Sequence, residues 1–303
     1  MSNRVAYLAL ILSGVCWGLG FPLGKLALAE LPAAHMVLWR FLIGAAAAAP
    51  FALASAQARA LFRSPAVLGA GVLYGLAFLV QFEGLSHVSV TLAALLVGAM
   101  PALIAVCAAL MGEPVSKRSW IGVAAATAGA ALIAGKPGEA GSPLGVALSL
   151  GSLLIFLAWL VVLKRAPQAA AKGAAAAIAM PAVTVVVAAA TILPIALVLH
   201  GAPRLDLAPV TWLAVAGQGV LATLVATAAW QYGASRVSSA SAGVFINIEP
   251  LFGALVGVLA FHDRLTLALG VGGVLIVAGS LTVVRGEAPK PPGDLTDPPP
   301  TPA

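Results

Sequence analysis

Apolar stretches of about 20 residues, the length at which a helix crosses a hydrocarbon core, recur along the whole 303-residue chain. Inside a bilayer each backbone N–H and C=O must find its partner within the protein, which leaves helices or a closed barrel. The runs are continuous rather than alternating, so they predict helices. A soluble fold with an apolar core does not account for them. Only 9% of the residues are charged, against roughly 25% in an average soluble domain. The sequence therefore predicts an all-α membrane protein.

Breaks marked by charge, Pro or Gly divide the runs into ten predicted transmembrane helices. They cover residues 5–26, 34–53, 66–84, 91–111, 120–135, 144–163, 174–199, 210–234, 239–261 and 267–284. The first apolar run continues past residue 20 without a small-x-small cleavage site, so a retained span is expected rather than a removed leader. Residues 287–303, "APKPPGDLTDPPPTPA" with the preceding Glu, have little apolar surface to bury, and a disordered, Pro-rich cytoplasmic tail is expected.

Positive charge orients the spans. With the N-terminus inside, eleven Lys and Arg fall on cytoplasmic segments, among them Arg59, Arg63, Lys117, Arg118 and Arg236. Four, Lys25, Lys136, Arg204 and Arg264, fall outside. The excess marks the cytoplasmic side, and both termini are expected there. The net charge of +6 forms no basic cluster with interleaved aromatics, so nucleic acid is not an expected partner. Cys16 and Cys107 lack metal-ligand spacing. The four His stand near span ends without carboxylate company, and "GQG" at 217–219 follows no strand. No cofactor, metal or catalytic group is expected, and the chain is not read as an enzyme.

The chain also repeats itself. At an offset of 149, "GLSHVSVTLAALLVGAMPALIAVCAAL" falls on "GASRVSSASAGVFINIEPLFGALVGVL", matching Gly84 with Gly233, Ser86 with Ser235, Ser89 with Ser238 and Pro101 with Pro250. One inserted residue later, Glu113 meets Asp263, Gly122 meets Gly272 and Gly129 meets Gly279. Two units follow: residues 1–137 and 138–286, with five spans each. Five is odd, so the second enters the membrane from the opposite side. Inverted repeats of this kind are frequent in secondary transporters, with the substrate site at the midplane between the halves.

Four stretches carry a resemblance: "WGLGFPLGK" (17–25), "LWRF" (38–41), "EGLSHVSVTLAALLVGAMPALIAVCAALMGEPVS" (83–116) and "NIEPLFGALVGVLAFHDRLT" (247–266). The chain resembles the drug/metabolite transporter superfamily in its ten-helix EamA-type branch, and the aromatic amino-acid exporters are nearest in character. His262-Asp263 stands where the family pattern has Gly-Glu. The resemblance implies two five-helix bundles around a central cavity and the export of small organic solutes, amino acids or amphipathic compounds. A multidrug exporter of amphipathic cations is the alternative, followed by a pore or a membrane enzyme. A monomer in the bilayer of the bacterial cytoplasmic (inner) membrane, acting on a small-molecule substrate, is expected.

Candidate site residues follow from polarity at membrane depth. Arg40, inside the second span, is either a functional charge or an anchor snorkelling to the outer surface. Glu249, in the ninth, is either a proton-coupling group or a fixed strut between helices; its repeat equivalent is Met100. Pro101 and Pro250 each remove a helical hydrogen bond, to the Val97 and Ile246 carbonyls, and read as paired hinges. Trp17, Phe21, Tyr74, Phe78, Phe156, Trp159 and Phe245 fall on the predicted cavity helices as an aromatic wall, against the plain alternative of helix packing. Gln81, Thr223, Thr227 and Asn247 are the expected polar contacts.

Overall fold

The computed structural model describes residues 3–53, 55–135, 141–163, 165, 174–237, 242 and 244–286. The expected tail at 287–303 and the start of the ninth span lie outside the described residues. Fourteen α-helices and one π turn are described. They are α1 (Asn3–Gly18), α2 (Gly20–Ala27), α3 (Ala33–Leu53), α4 (Ala56–Leu61), α5 (Pro65–Ser86), α6 (Val90–Val97), α7 (Met100–Leu110) and α8 (Lys117–Gly135). Next come α9 (Pro143–Leu163), α10 (Ala174–His200), α11 (Pro209–Gly219), a π-helical turn (Val220–Val225), α12 (Ala226–Ala234), α13 (Ile248–Phe261) and α14 (Leu267–Gly286).

Among the described residues eight helical stretches are long and apolar enough to cross a membrane. They coincide with eight of the ten predicted spans. Of the other two, α8 runs for 19 residues outside that set, and α13 is a shorter apolar helix of 14. The outward faces are those of a bilayer protein: Leu8, Ile121, Leu154, Val198, Leu213 and Leu267 expose apolar side chains, which lipid rather than water can cover. The protein is an all-helical, multi-pass membrane protein.

The paired prolines do not bend continuous helices, as the loss of their N–H had suggested. Each stands in the first turn of a new helix. Pro101 is the second residue of α7, after α6 closes with Gly98 N–H to Leu95 O and Ala99 N–H to Leu96 O, both at 3.0 Å. Pro250 is the third residue of α13, after a turn at Ile246 and Asn247. First-turn N–H groups have no intrahelical partner, so proline is tolerated there without loss. The two spans are broken at matching places rather than kinked.

Packing brings elements distant in sequence together. α8 lies on α14, α5 on α9, α10 on α3 and α5, and α1 on α12 and α13. In the first pair Gly122 meets the Gly279 carbonyl and Gly129 meets the Gly272 carbonyl, a small-residue contact that lets backbones approach closely. Polar ties cross the sequence as well. Ser13 Oγ donates to Ala226 O at 2.8 Å, and Glu30 Oε2 accepts from Ala208 N at 3.0 Å at the start of α11.

Candidate functional site

Arg40 is the buried cation of the bundle. It lies in α3 and is only 2% exposed, so it does not snorkel to either surface. A guanidinium in that position requires hydrogen bonds for its donors. Its Nε donates to Thr223 Oγ1 at 3.0 Å, its Nη1 to Gln218 Oε1 at 2.7 Å and its Nη2 to the Ala222 carbonyl at 3.4 Å. Phe78 covers its plane with the ring centroid 3.9 Å away, a cation–π contact that replaces part of the lost hydration.

All three acceptors belong to α11 and the π turn that follows. The wider winding of a π turn leaves carbonyls off the regular ladder, and such turns cluster at functional sites. Here Thr223 Oγ1 donates five residues back to Gln218 O at 2.8 Å, and Thr227 Oγ1 donates to Thr223 O at 2.6 Å. Gln218 Nε2 donates to the Gly20 carbonyl, which joins the second span to the first through the eighth. Gln218 is fully buried. It was passed over because "GQG" was weighed only as a nucleotide loop; an amide in the middle of an apolar span was the available signal.

Beside Arg40 lies a cavity of about 410 Å³. Trp17, Phe21, Arg40, Tyr74, Phe78, Gln81, Phe156, Trp159, Thr227, Asn247, Glu249, Pro101 and Pro250 all line it, and so do Trp230, Gln231 and Met180, which were not predicted. Helices far apart in sequence supply these side chains, so the predicted residues converge. Its aromatic wall is mutually packed. Tyr74 stands 4.8 Å from Phe78 and 5.3 Å from Trp159, and Phe78 stands 5.0 Å from Phe156 between ring centroids. Two expected members are elsewhere. Thr223 is held as an Arg40 partner, and Phe245 stacks on Tyr7 at 5.5 Å.

The start of α13 also lines the cavity. Asn247 stands at the N-cap position without a side-chain capping bond and is 3% exposed; Glu249 follows in the first turn. A carboxylate there is favoured by the positive end of the helix dipole. Glu249 is half-buried, and no hydrogen bond or ion pair engages it among the described residues. Arg40, which lines the same cavity, is the charged group that acts on it. Three buried polar atoms of cavity-lining residues likewise lack partners: Trp159 Nε1, Asn247 Oδ1 and Ser280 Oγ.

A membrane-embedded helical bundle with an aromatic cavity and unpartnered polar groups belongs to the class of solute carriers. The chain is a member of the EamA-like transporter family, which matches residues 4–135 and again 143–285. Over 75 residues it is 39% identical to an uncharacterized transporter of Archaeoglobus fulgidus, a stretch that spans 25% of this chain and only 28% of that relative. Over 67 residues it is 28% identical to the permease-like protein YdzE of Bacillus subtilis, spanning 22% of this chain and 86% of that one. A solved crystal structure superposes on 95% of the chain and 100% of its own length, with a TM-score of 0.62 and 22% identity; this likeness shows the shared fold. The protein is a membrane transporter.

Proposed function

We propose that the protein is a secondary transporter that exports small apolar amino acids, aromatic ones above all, by alternating access. In this reading ten spans form two inverted five-helix halves. They act as a monomer in the bacterial inner membrane with both termini cytoplasmic, and rock about the helix breaks before Pro101 and Pro250. The observation that carries it is the cavity itself: a lining of packed aromatic rings together with a carboxylate and an amide oxygen that no protein hydrogen bond engages among the described residues. Pockets for amphipathic ligands combine a mostly apolar lining with a few placed polar groups. The crossed pairing of Gly122 with Gly279 and of Gly129 with Gly272 supports the two-fold relation, because exchanging the repeat-equivalent residues maps one contact onto the other.

Purified protein in sealed vesicles tests the proposal with a panel of amino acids and amphipathic cations, with and without a pH gradient. Saturable, stereoselective flux of an aromatic or aliphatic amino acid is expected. Linear, non-saturating flux rejects a carrier, and failure of every such amino acid to compete rejects the substrate class.

A further inference from the structure

We propose that the cavity reads its solute through a protonated amine seated at Glu249 and Asn247, and that a carboxylate on the solute is dispensable. This rests on the reading of the cavity as the substrate site. Arg40 and Glu249 are the two charged side chains that line the cavity among the described residues. A zwitterionic solute invites a symmetrical reading, with carboxylate on Arg40 and ammonium on Glu249. The hydrogen bonds favour one half of it.

Arg40 is already engaged. Three of its nitrogens donate to Thr223, Gln218 and the Ala222 carbonyl, Phe78 lies over its face at 3.9 Å, and it is 2% exposed. A solute carboxylate would have to displace Gln218 or Thr223, and each displaced acceptor would then be buried without a partner. Gln218 is further held by its own bond to Gly20.

The other pole is open. Glu249 has no hydrogen-bond or ion-pair partner among the described residues. Asn247 stands two residues away, 97% buried, with Oδ1 unpartnered while its Nδ2 donates to Val244 O at 3.4 Å. The Glu249 carboxylate and the buried Asn247 Oδ1 are both acceptors, so the complementary group is a donor. An ammonium supplies three, and its charge offsets the cost of a carboxylate held away from water. The rings of Tyr74 and Trp159, 5.3 Å apart, receive the apolar body.

The test measures binding of phenylalanine, phenylethylamine and phenylpropionate to the full-length protein in nanodiscs, by titration calorimetry. Phenylethylamine should bind within about threefold of phenylalanine, and phenylpropionate at least about tenfold more weakly, a difference of about 1.4 kcal/mol. Glu249→Gln should weaken both amines by at least about tenfold and leave phenylpropionate unchanged. The comparison of the three ligands on the unaltered protein stands even where the variant fails to fold. Phenylpropionate binding as tightly as phenylethylamine overturns the proposal, and so does binding of phenylalanine alone. Absence of binding by all three also overturns it, whereas saturable vesicle flux of another solute would leave the transporter reading intact.

Discussion

Asp263 Oδ2 accepts the backbone N–H of Thr91 at 2.7 Å, across 172 residues of sequence. Ser89 Oγ accepts the neighbouring Leu92 N–H at 3.1 Å, so the start of α6 is capped twice, once locally and once from the loop before α14. Losing a cap costs about 1 kcal/mol. Asp263→Ala should lower the thermal unfolding midpoint in detergent by that order. Asp263→Asn, which keeps an acceptor oxygen, should recover most of the loss. Equal midpoints for Asp263→Ala and the unaltered protein would show that the bond contributes nothing.

The Arg40 clamp is a matter of geometry rather than charge alone. A lysine keeps the charge but cannot reach Thr223 and Gln218 together while stacking on Phe78. Hydrogen bonds to charged groups contribute about 1.5–3 kcal/mol each, so Arg40→Lys should destabilise the fold by roughly 3 kcal/mol. Chemical denaturation in mixed micelles measures it, and a loss below about 0.5 kcal/mol, the range of ordinary surface substitutions, would contradict the clamp.

Apolar run length revealed most of the spans, because crossing a bilayer imposes a length on any sequence. The meeting of Arg40 with Gln218 and Thr223 was not legible. Nearly 180 residues separate the partners, and nothing local marks a π turn in an apolar run. Glu249 falls halfway along the predicted ninth span; the helix starting afresh at Ile248 puts it in a first turn. Pro101 and Pro250 were legible as a pair but not in kind. A proline within an apolar run looks the same whether it kinks one helix or begins the next.

Gly219 tests the crossing of α3 with the eighth span. A methyl group there would lie 2.7 Å from Arg40 O and 2.9 Å from Gly44 N, both backbone atoms that cannot swing aside. Overpacking of this kind costs about 1–3 kcal/mol. Gly219→Ala should therefore unfold at a lower temperature, with part of the Arg40 network displaced. Gly151→Ala is the control, because nothing lies within 4 Å of the added carbon; it should unfold no earlier than the unaltered protein. Indistinguishable behaviour of the two variants would refute the close approach.

If the solute's ammonium and a proton compete for Glu249, pH should act on apparent affinity with a definite sign. The charged or titratable side chains that share its cavity are Arg40 on α3 and Tyr74 on α5. Cys16 and Lys25 lie on the first span, which packs against α13, and Lys25 Nζ is held by the Leu85 and Val88 carbonyls at 2.9 and 2.7 Å. Neither of those two lines the cavity. Protonation turns the Glu249 carboxylate from a pure acceptor into a neutral acid, which removes the attraction to an ammonium. The KM for an amine-bearing solute should rise as pH falls through the Glu249 titration, and maximal flux should change less. In Glu249→Gln the KM should be high, by at least about tenfold, and flat across the same range. Competition of this kind would link solute release to proton uptake at the cavity. A variant whose KM still climbs on acidification would assign the pH response to another group and leave Glu249 with recognition alone.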